Sequence, residues 1–304
     1  MDRFTAMEVF VCVADEGGFT AAARRLGLSK SFVSKQVVAL ERHLGVRLLN
    51  RTTRRLSLTE PGTRFYERGQ RILEDLHDAE SWVGDLNARP RGVLRINVPV
   101  SFGTRHLAPA LPEFLARYPE LQVDVTLNDR FVDLVNEGYD AAVRITRLDD
   151  SSLIARQLAR CGSWLCGAPA YLEAHGRPRT AGEVSRHNCL VYAYARQSGE
   201  WRITDPEGVE HRLAVRGNLT ANNGELLLAA AMQGTGLVLV PDFIGHDAVA
   251  AGYLERLLPD HTTPELSMSV VYPYTRHVSA KLRVFIDFLV ARFGTERYPW
   301  SLPA

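Results

Sequence analysis

The chain has 304 residues, of which 46% are hydrophobic and 23% charged, with a formal net charge of +1; this size fits two or three packed units. No stretch approaches the run of about 20 apolar residues that a membrane helix needs. The N-terminal MDRFTAMEVF lacks the apolar block of a secretory signal, so a cytoplasmic protein with no membrane partner is expected.

Four scattered cysteines, Cys12, Cys161, Cys166 and Cys189, exclude a disulfide framework. The spacing of Cys161 and Cys166 does not suit zinc, and neither a second cysteine pair nor a His-x-x-x-His accompanies them. No metal or cofactor is expected. The near-zero net charge hides a concentration: residues 19–58 hold nine Lys or Arg against one acid, Glu41, a local charge of +8. A basic face on a compact helical unit is the footprint of a duplex-DNA reader.

In chain order, Phe4, Met7, Phe10, Val11 and Ala14 recur at helical spacing and predict a first helix ending at Gly17-Gly18. Thr20 is the expected N-cap of a short helix, Ala21 to Leu26. Gly27-Leu28-Ser29 makes a turn, and Ser29 caps the next helix. In that helix Val33, Val37, Leu40 and Leu44 form one apolar stripe, while Lys30, Ser31, Ser34 and Lys35 crowd the other side near its start. This end of a second helix is what enters the major groove in helix-turn-helix proteins. Arg51-Thr52-Thr53-Arg54-Arg55 then forms the cationic tip of a small hairpin, suited to phosphates or the minor groove.

Phe19-Thr20-Ala21-Ala22-Ala23, Leu26-Gly27-Leu28-Ser29, Val33-Ser34-Lys35-Gln36-Val37, Leu40-Glu41 and Leu44-Gly45-Val46-Arg47-Leu48-Leu49 follow one another in unbroken register. With Arg51, Arg54-Arg55-Leu56 and Leu58-Thr59-Glu60-Pro61-Gly62, this run resembles the head of LysR-type transcriptional regulators. The resemblance implies DNA contacts from Lys30, Ser31, Ser34 and Lys35 and backbone contacts from Thr20, Arg51, Arg54 and Arg55. Lys35 stands where the family usually carries Arg, so the planar fork for guanine is absent. The partners so implied are double-stranded promoter DNA, a small-molecule effector and further copies of the chain, as homodimer or homotetramer.

The expected fold is α+β and multidomain. Residues 1–59 are expected to form a winged helix-turn-helix DNA-binding domain, residues 60–89 a linker helix and residues 90–304 a two-lobed α/β domain; the resemblance implies that the linker makes the dimer and that the last domain is the effector domain, similar to type 2 periplasmic binding proteins. Along the linker, Phe65, Ile72, Ala79 and Leu86 make one heptad column and Gly69, Leu76 and Val83 the other, a seam either for pairing with a second chain, the favoured reading, or for a long helix folded back on its own domain.

Beyond Arg89-Pro90-Arg91-Gly92, strands at Val93–Val98, Leu121–Leu127 and Ala141–Ile145 alternate with helices near Thr104–Arg117 and Phe131–Gly138, implying a parallel sheet. Strands at Trp164–Gly167, Leu213–Leu219 and Gly236–Val240 and the helix Gly224–Gln233 build a second lobe. Met268–Tyr274 and the helix Ala280–Arg292 return to the first. Ligands of such sheets bind beyond the carboxyl ends of strands, where Ser101, Phe102, Asn128, Arg144, Thr146, Asn222 and Asn223 are the candidate contacts to a small, anionic effector. Arg144 either pairs with a ligand carboxylate or bridges to an internal acid such as Asp140, and the asparagines suit ligand or turn. A redox regulator using Cys161 and Cys166 is the alternative. An enzyme is not expected, because no nucleophile–base pairing or paired carboxylates stand out.

Overall fold

A computed structural model describes residues 2–51, 56–84, 90–146, 153–195, 199–274 and 278–294. The chain divides into two compact units, Met1–Arg89 and Pro90–Ala304.

The first unit comprises α1 (Arg3–Asp15), α2 (Phe19–Leu26), α3 (Lys30–Leu44), the hairpin strands β1 (Leu49–Arg51) and β2 (Leu56–Leu58), and α4 (Glu60–Gly84). Phe10, Val13, Ala22, Val33, Val37, Leu40 and Leu48 close its core. Gly27, at φ +66, ends α2 in the left-handed conformation that a side chain resists. Ser29 caps α3, its hydroxyl accepting from the Phe32 amide at 3.2 Å. Two expectations are corrected. Extended Gly18, not Thr20, occupies the cap position of α2, which places Thr20 inside the first turn. Leu44 drops out of the buried stripe, 37% exposed where Gly45 turns the chain away at φ +71.

The start of α4 is locked to the hairpin. Thr59 Oγ1 donates to the Arg47 carbonyl at 2.7 Å and accepts from the Gly62 amide at 3.0 Å. Gly62 is obligatory, since a Cβ there would lie 2.0 Å from the Leu48 carbonyl oxygen. Phe65 meets Phe10 edge to face at 5.6 Å, and a Cβ on Gly69 would meet Met7 and Val11 at 3.3 and 3.4 Å. The first heptad of the expected inter-chain seam is therefore filled by the chain's own α1, because Gly69 lets the two helices close up. Ile72 stays exposed. Leu86 and the side chains of Ala79 and Val83 lie outside the described residues.

The second unit opens with β3 (Gly92–Val98), α5 (Val100–Phe102), a π-helical segment Gly103–Leu107, α6 (Ala108–Arg117), β4 (Leu121–Leu127), α7 (Leu134–Glu137), β5 (Ala141–Thr146) and β6 (Ile154–Cys161). It crosses to β7 (Ser163–Gly167), α8 (Pro169–His175), α9 (Ala181–Val184), β8 (Cys189–Tyr192), β9 (Glu200–Thr204), β10 (Glu210–Ala214), β11 (Thr220–Ala221), α10 (Gly224–Met232), β12 (Leu237–Pro241), α11 (Asp242–Ala250) and β13 (Glu255–Leu257). It returns through β14 (Leu266–Tyr272) and α12 (Ala280–Phe293). One lobe is the sheet β4-β3-β5-β14-β6 and the other the sheet β11-β8-β12-β7-β13.

β3, β4 and β5 are parallel, whereas β14 runs antiparallel to both β5 and β6. The parallel order expected of the three βαβαβ strands holds, and the returning strand adds an antiparallel edge. The strand expected at Leu213–Leu219 is two separate elements. Residues up to Ala214 pair with β9 in a hairpin, and the parallel strand is only Thr220–Ala221. Gly217 divides them, packed so tightly that a Cβ would lie 2.0 Å from the Cys189 carbonyl oxygen. The helix expected at Phe131–Gly138 shrinks to one turn, because Asp133 caps it through the Val135 and Asn136 amides and Gly138 ends it at φ +74.

Candidate DNA interface and effector cleft

On α3, Lys30, Ser31 and Lys35 are exposed and Ser34 is half-buried, opposite the stripe of Val33, Val37 and Leu40 that seats the helix on its core. Among the described residues neither Lys30 nor Lys35 carries an ion pair, so both ammonium groups face solvent uncommitted. Arg25 by contrast is engaged, 2.8 Å from Glu16. Thr20 is exposed at the start of α2. Arg54, Arg55 and the side chain of Arg51 lie outside the described residues; the hairpin that leads to them pairs Leu49 with Leu58 and Arg51 with Leu56.

The one acid of the basic window has a structural task. Glu41 Oε1 accepts from the amides of Leu48 and Leu49 at 2.9 and 3.1 Å, which ties the recognition helix to the first strand of the hairpin. Nothing in the local pattern of charges signals this, because the partners are backbone groups.

Between the two lobes lies a cleft of about 740 Å³. Ser101, Arg144 and Thr146 line it. Arg144 and Thr146 share one face of β5 by strand alternation, and Ser101 stands in the first turn after β3. From the other lobe Gly224 opens α10; a Cβ there would be 3.8 Å from Ser101 Oγ.

Arg144 is the central polar group. It is 8% exposed, and its guanidinium donates to the carbonyls of Arg130 at 3.0 Å and Val132 at 3.2 Å and, at 3.4 Å, to Asn97 Oδ1. Its carbon stands 5.1 Å over the Phe131 ring. Among the described residues no carboxylate pairs with it. Burial, and then the charge of Arg130, work against its protonated form, offset in part by the Glu137 carboxylate that pairs with Arg130. The alternative of a bridge to Asp140 is excluded: that carboxylate accepts from the Arg95 amide at 2.7 Å and faces Lys281 at 3.3 Å.

Four expected contacts point elsewhere. Phe102 is fully buried against Phe293 at 5.2 Å and turns into the first lobe. Asn128 closes a local turn, accepting from the Arg130 amide at 2.9 Å. Asn223 caps α10, accepting from the Leu226 amide at 3.0 Å, and Asn222 stays out of the lining itself, donating at 3.2 Å to the hydroxyl of Tyr194, which does line the cleft. The reason is common to the asparagines: short amides at strand and helix ends are taken up by nearby backbone and side-chain groups.

Asp129, Phe131, Tyr192, Tyr194 and Trp201 line the cleft without having been anticipated. Asp129 accepts from the Val100 amide at 2.8 Å and lines the same cleft as Tyr192 of the other lobe. Burial pushes its carboxyl up, against the lowering effect of the Val100 amide and the Tyr192 hydroxyl. The available signal was its position directly after Asn128 at a strand end.

The crossing between lobes is pinned by Asp242, whose carboxylate accepts from the Gly162 amide at 3.0 Å. Cys161 and Cys166 flank this crossing on different sheets, both buried. Burial raises both thiols, that of Cys166 to about 12, which disfavours the thiolate that redox chemistry requires. Among the described residues no group of three His, Cys, Asp or Glu could hold a metal ion, and no helix is long and apolar enough to cross a membrane.

Two family profiles match the chain: "Bacterial regulatory helix-turn-helix protein, lysR family" over residues 4–63 and "LysR substrate binding domain" over residues 87–294. An HTH-type transcriptional regulator of Xanthomonas campestris pv. campestris is 40% identical over 290 residues, spanning 94% of this chain and 84% of the relative. DmlR of Escherichia coli K12 is 38% identical over 294 residues, 96% of this chain and 95% of its own length. The solved structure of CrgA, a LysR-type transcriptional regulator from Neisseria meningitidis, aligns at a TM-score of 0.62 with 35% identity, covering 96% of this chain and 99% of that one. The head, the two-lobed domain and these matches agree, and the chain belongs to the LysR family of DNA-binding transcriptional regulators, which bind promoter DNA and small-molecule effectors and are not enzymes.

Proposed function

We propose that this regulator is a cytoplasmic homodimer or homotetramer that reads promoter DNA through Lys30, Ser31, Ser34 and Lys35. Thr20, Arg51, Arg54 and Arg55 hold the phosphates. Residues 1–59 act as the DNA-binding domain, 60–89 as the linker and 90–304 as the effector domain. The effector is a small anion seated on Arg144, with Ser101 and Thr146 as further hydrogen-bond partners.

One observation carries the effector assignment. Arg144 is a buried cation that lines the cleft and meets only neutral acceptors, and a buried charge of this kind is stabilised strongly by an opposite one. An anion that seats there in one arrangement of the lobes shifts the population toward it, and with it the fit of paired heads to DNA. The buried thiols give the redox alternative no comparable support.

The test starts from mapping bound sites across the source genome with the full-length protein. Acids handled by products of the neighbouring genes are then titrated while melting temperature is followed. A rise in native protein that is absent in Arg144→Gln is expected. An equal rise in both would remove Arg144 from the site.

A further inference from the structure

The charge balance and walls of the cleft restrict the effector further, on the reading that this cleft is the effector site. Among the described residues, four charged side chains line it: Asp129, Arg144, Glu200 and Arg202. Glu200 and Arg202 pair with each other at 3.0 Å. Arg144 is left as the one lining cation with no carboxylate beside it among the described residues, while Asp129 supplies an acceptor of the opposite sign. The rest of the wall is largely carbon, with Phe131, Tyr192, Trp201, Leu227, Phe243 and Leu266 all facing the hollow.

We propose that the effector is a monocarboxylic acid with an aromatic or similarly apolar ring body, the carboxylate on Arg144 and the ring against Phe131, Tyr192 and Trp201. A compact dicarboxylate fits this cleft poorly. Its second charge would lie beside Asp129 or against carbon, where an unpaired ion is costly. Phe131 has a double part: its ring already stacks under the Arg144 guanidinium at 5.1 Å, yet it is 69% exposed. A ligand ring that covers it removes that apolar surface from water while its carboxylate reaches the guanidinium. A hydroxyl or amine on the ring would have Asp129 as its acceptor.

The test is calorimetric titration of the full-length protein with benzoate, 3-phenylpropionate and indole-3-acetate on one side and succinate and citrate on the other. At least one ring acid is expected to bind about ten-fold or more tighter than either polyacid. Arg144→Gln is expected to abolish that binding. Phe131→Ala changes an exposed side chain and keeps the fold, and it is expected to weaken the ring acid about five-fold and leave the polyacids unchanged. A preference for succinate or citrate that is lost in Arg144→Gln would overturn the ring-acid proposal and leave the anionic effector site standing. Binding that ignores Arg144, or no binding by any of the five, would overturn both.

Discussion

Arg105 grips Glu225 with two parallel hydrogen bonds, Nε to Oε1 at 2.6 Å and the terminal nitrogen to Oε2 at 2.7 Å. Arg105 belongs to the π-helical segment of the first lobe and Glu225 to the first turn of α10 in the second, so the fork spans the two. Asp247 adds a third contact at 3.1 Å. Glu225 follows Gly224, which lines the cleft, so this clasp and the ligand site share the start of one helix.

Arg105→Ala is therefore expected to loosen lobe closure. Both partners are partly exposed, 28% and 31%, so the loss is set at about 1 kcal/mol, and the effector domain should melt about 2–4 °C lower. Thermal unfolding followed by circular dichroism measures it. An unchanged transition would show that the clasp contributes nothing to closure.

Gly62 and Gly69 are both helical, but their substitution should differ sharply. Gly62→Ala forces a Cβ to within 2.0 Å of a backbone oxygen, which cannot yield, and the head should lose about 2–4 kcal/mol. Gly69→Ala meets the flexible Met7 side chain at 3.3 Å and gains about 1 kcal/mol of helix propensity, so it should be close to neutral. Urea unfolding of the two variants compares them directly.

Lys30→Ala and Lys35→Ala should each weaken promoter binding and, where the ammonium meets a phosphate, reduce the salt slope by about one. Where it meets a guanine, specificity at that base should relax instead. Gel-shift titrations at several salt concentrations separate the two outcomes. An unaltered slope with unaltered specificity removes that lysine from the interface.

Burial holds the Asp129 carboxyl above its ordinary 3.8, so its ionised form is less favourable in the folded chain than in the unfolded one. Its ionised form opposes folding at pH values above the folded pKa, and that penalty disappears as pH falls below the unfolded value. Asp129→Asn keeps an acceptor for the Val100 amide and removes the charge. It should raise the melting temperature near about pH 7, with the gain shrinking to nothing by about pH 3–4. A gain that does not depend on pH would contradict this origin.

All four cysteines are buried and free. With the Cys166 thiol raised to about 12, only about one molecule in ten thousand carries that thiolate near pH 8. Ellman's reagent should find almost no reactive thiol in native protein and four after denaturation. Rapid reaction of Cys161 or Cys166 in the folded chain would revive a redox role.

Elements whose periodicity and punctuation agree were legible in the sequence. Ser29 and Gly27 bracket the turn before α3, and Leu121–Leu127 is a strand over the residues its alternation marks. β6 escaped because Arg156, Gln157 and Arg160 interrupt its apolar residues, and its strand character comes from pairing with β14. In the cleft, Ser101, Arg144 and Thr146 could be found because strand ends imply where ligands gather. Phe131, Tyr192 and Trp201 could not, since they meet only when two distant stretches of chain fold against each other. Asn128 and Asp129 show the finest limit: adjacent polar residues at one strand end diverge because loop geometry turns one inward and spends the other on its own backbone.

Glu41 has a consequence for how such a head can change its target. By holding the Leu48 and Leu49 amides, it fixes the angle between the recognition helix and the hairpin that follows. The two proposed DNA contacts then behave as one stiff stamp, whose imprint on the duplex cannot be re-aimed piece by piece. A new binding sequence would have to come from exchanging the characters on its face, at residues 30–35, while the handle stays the same.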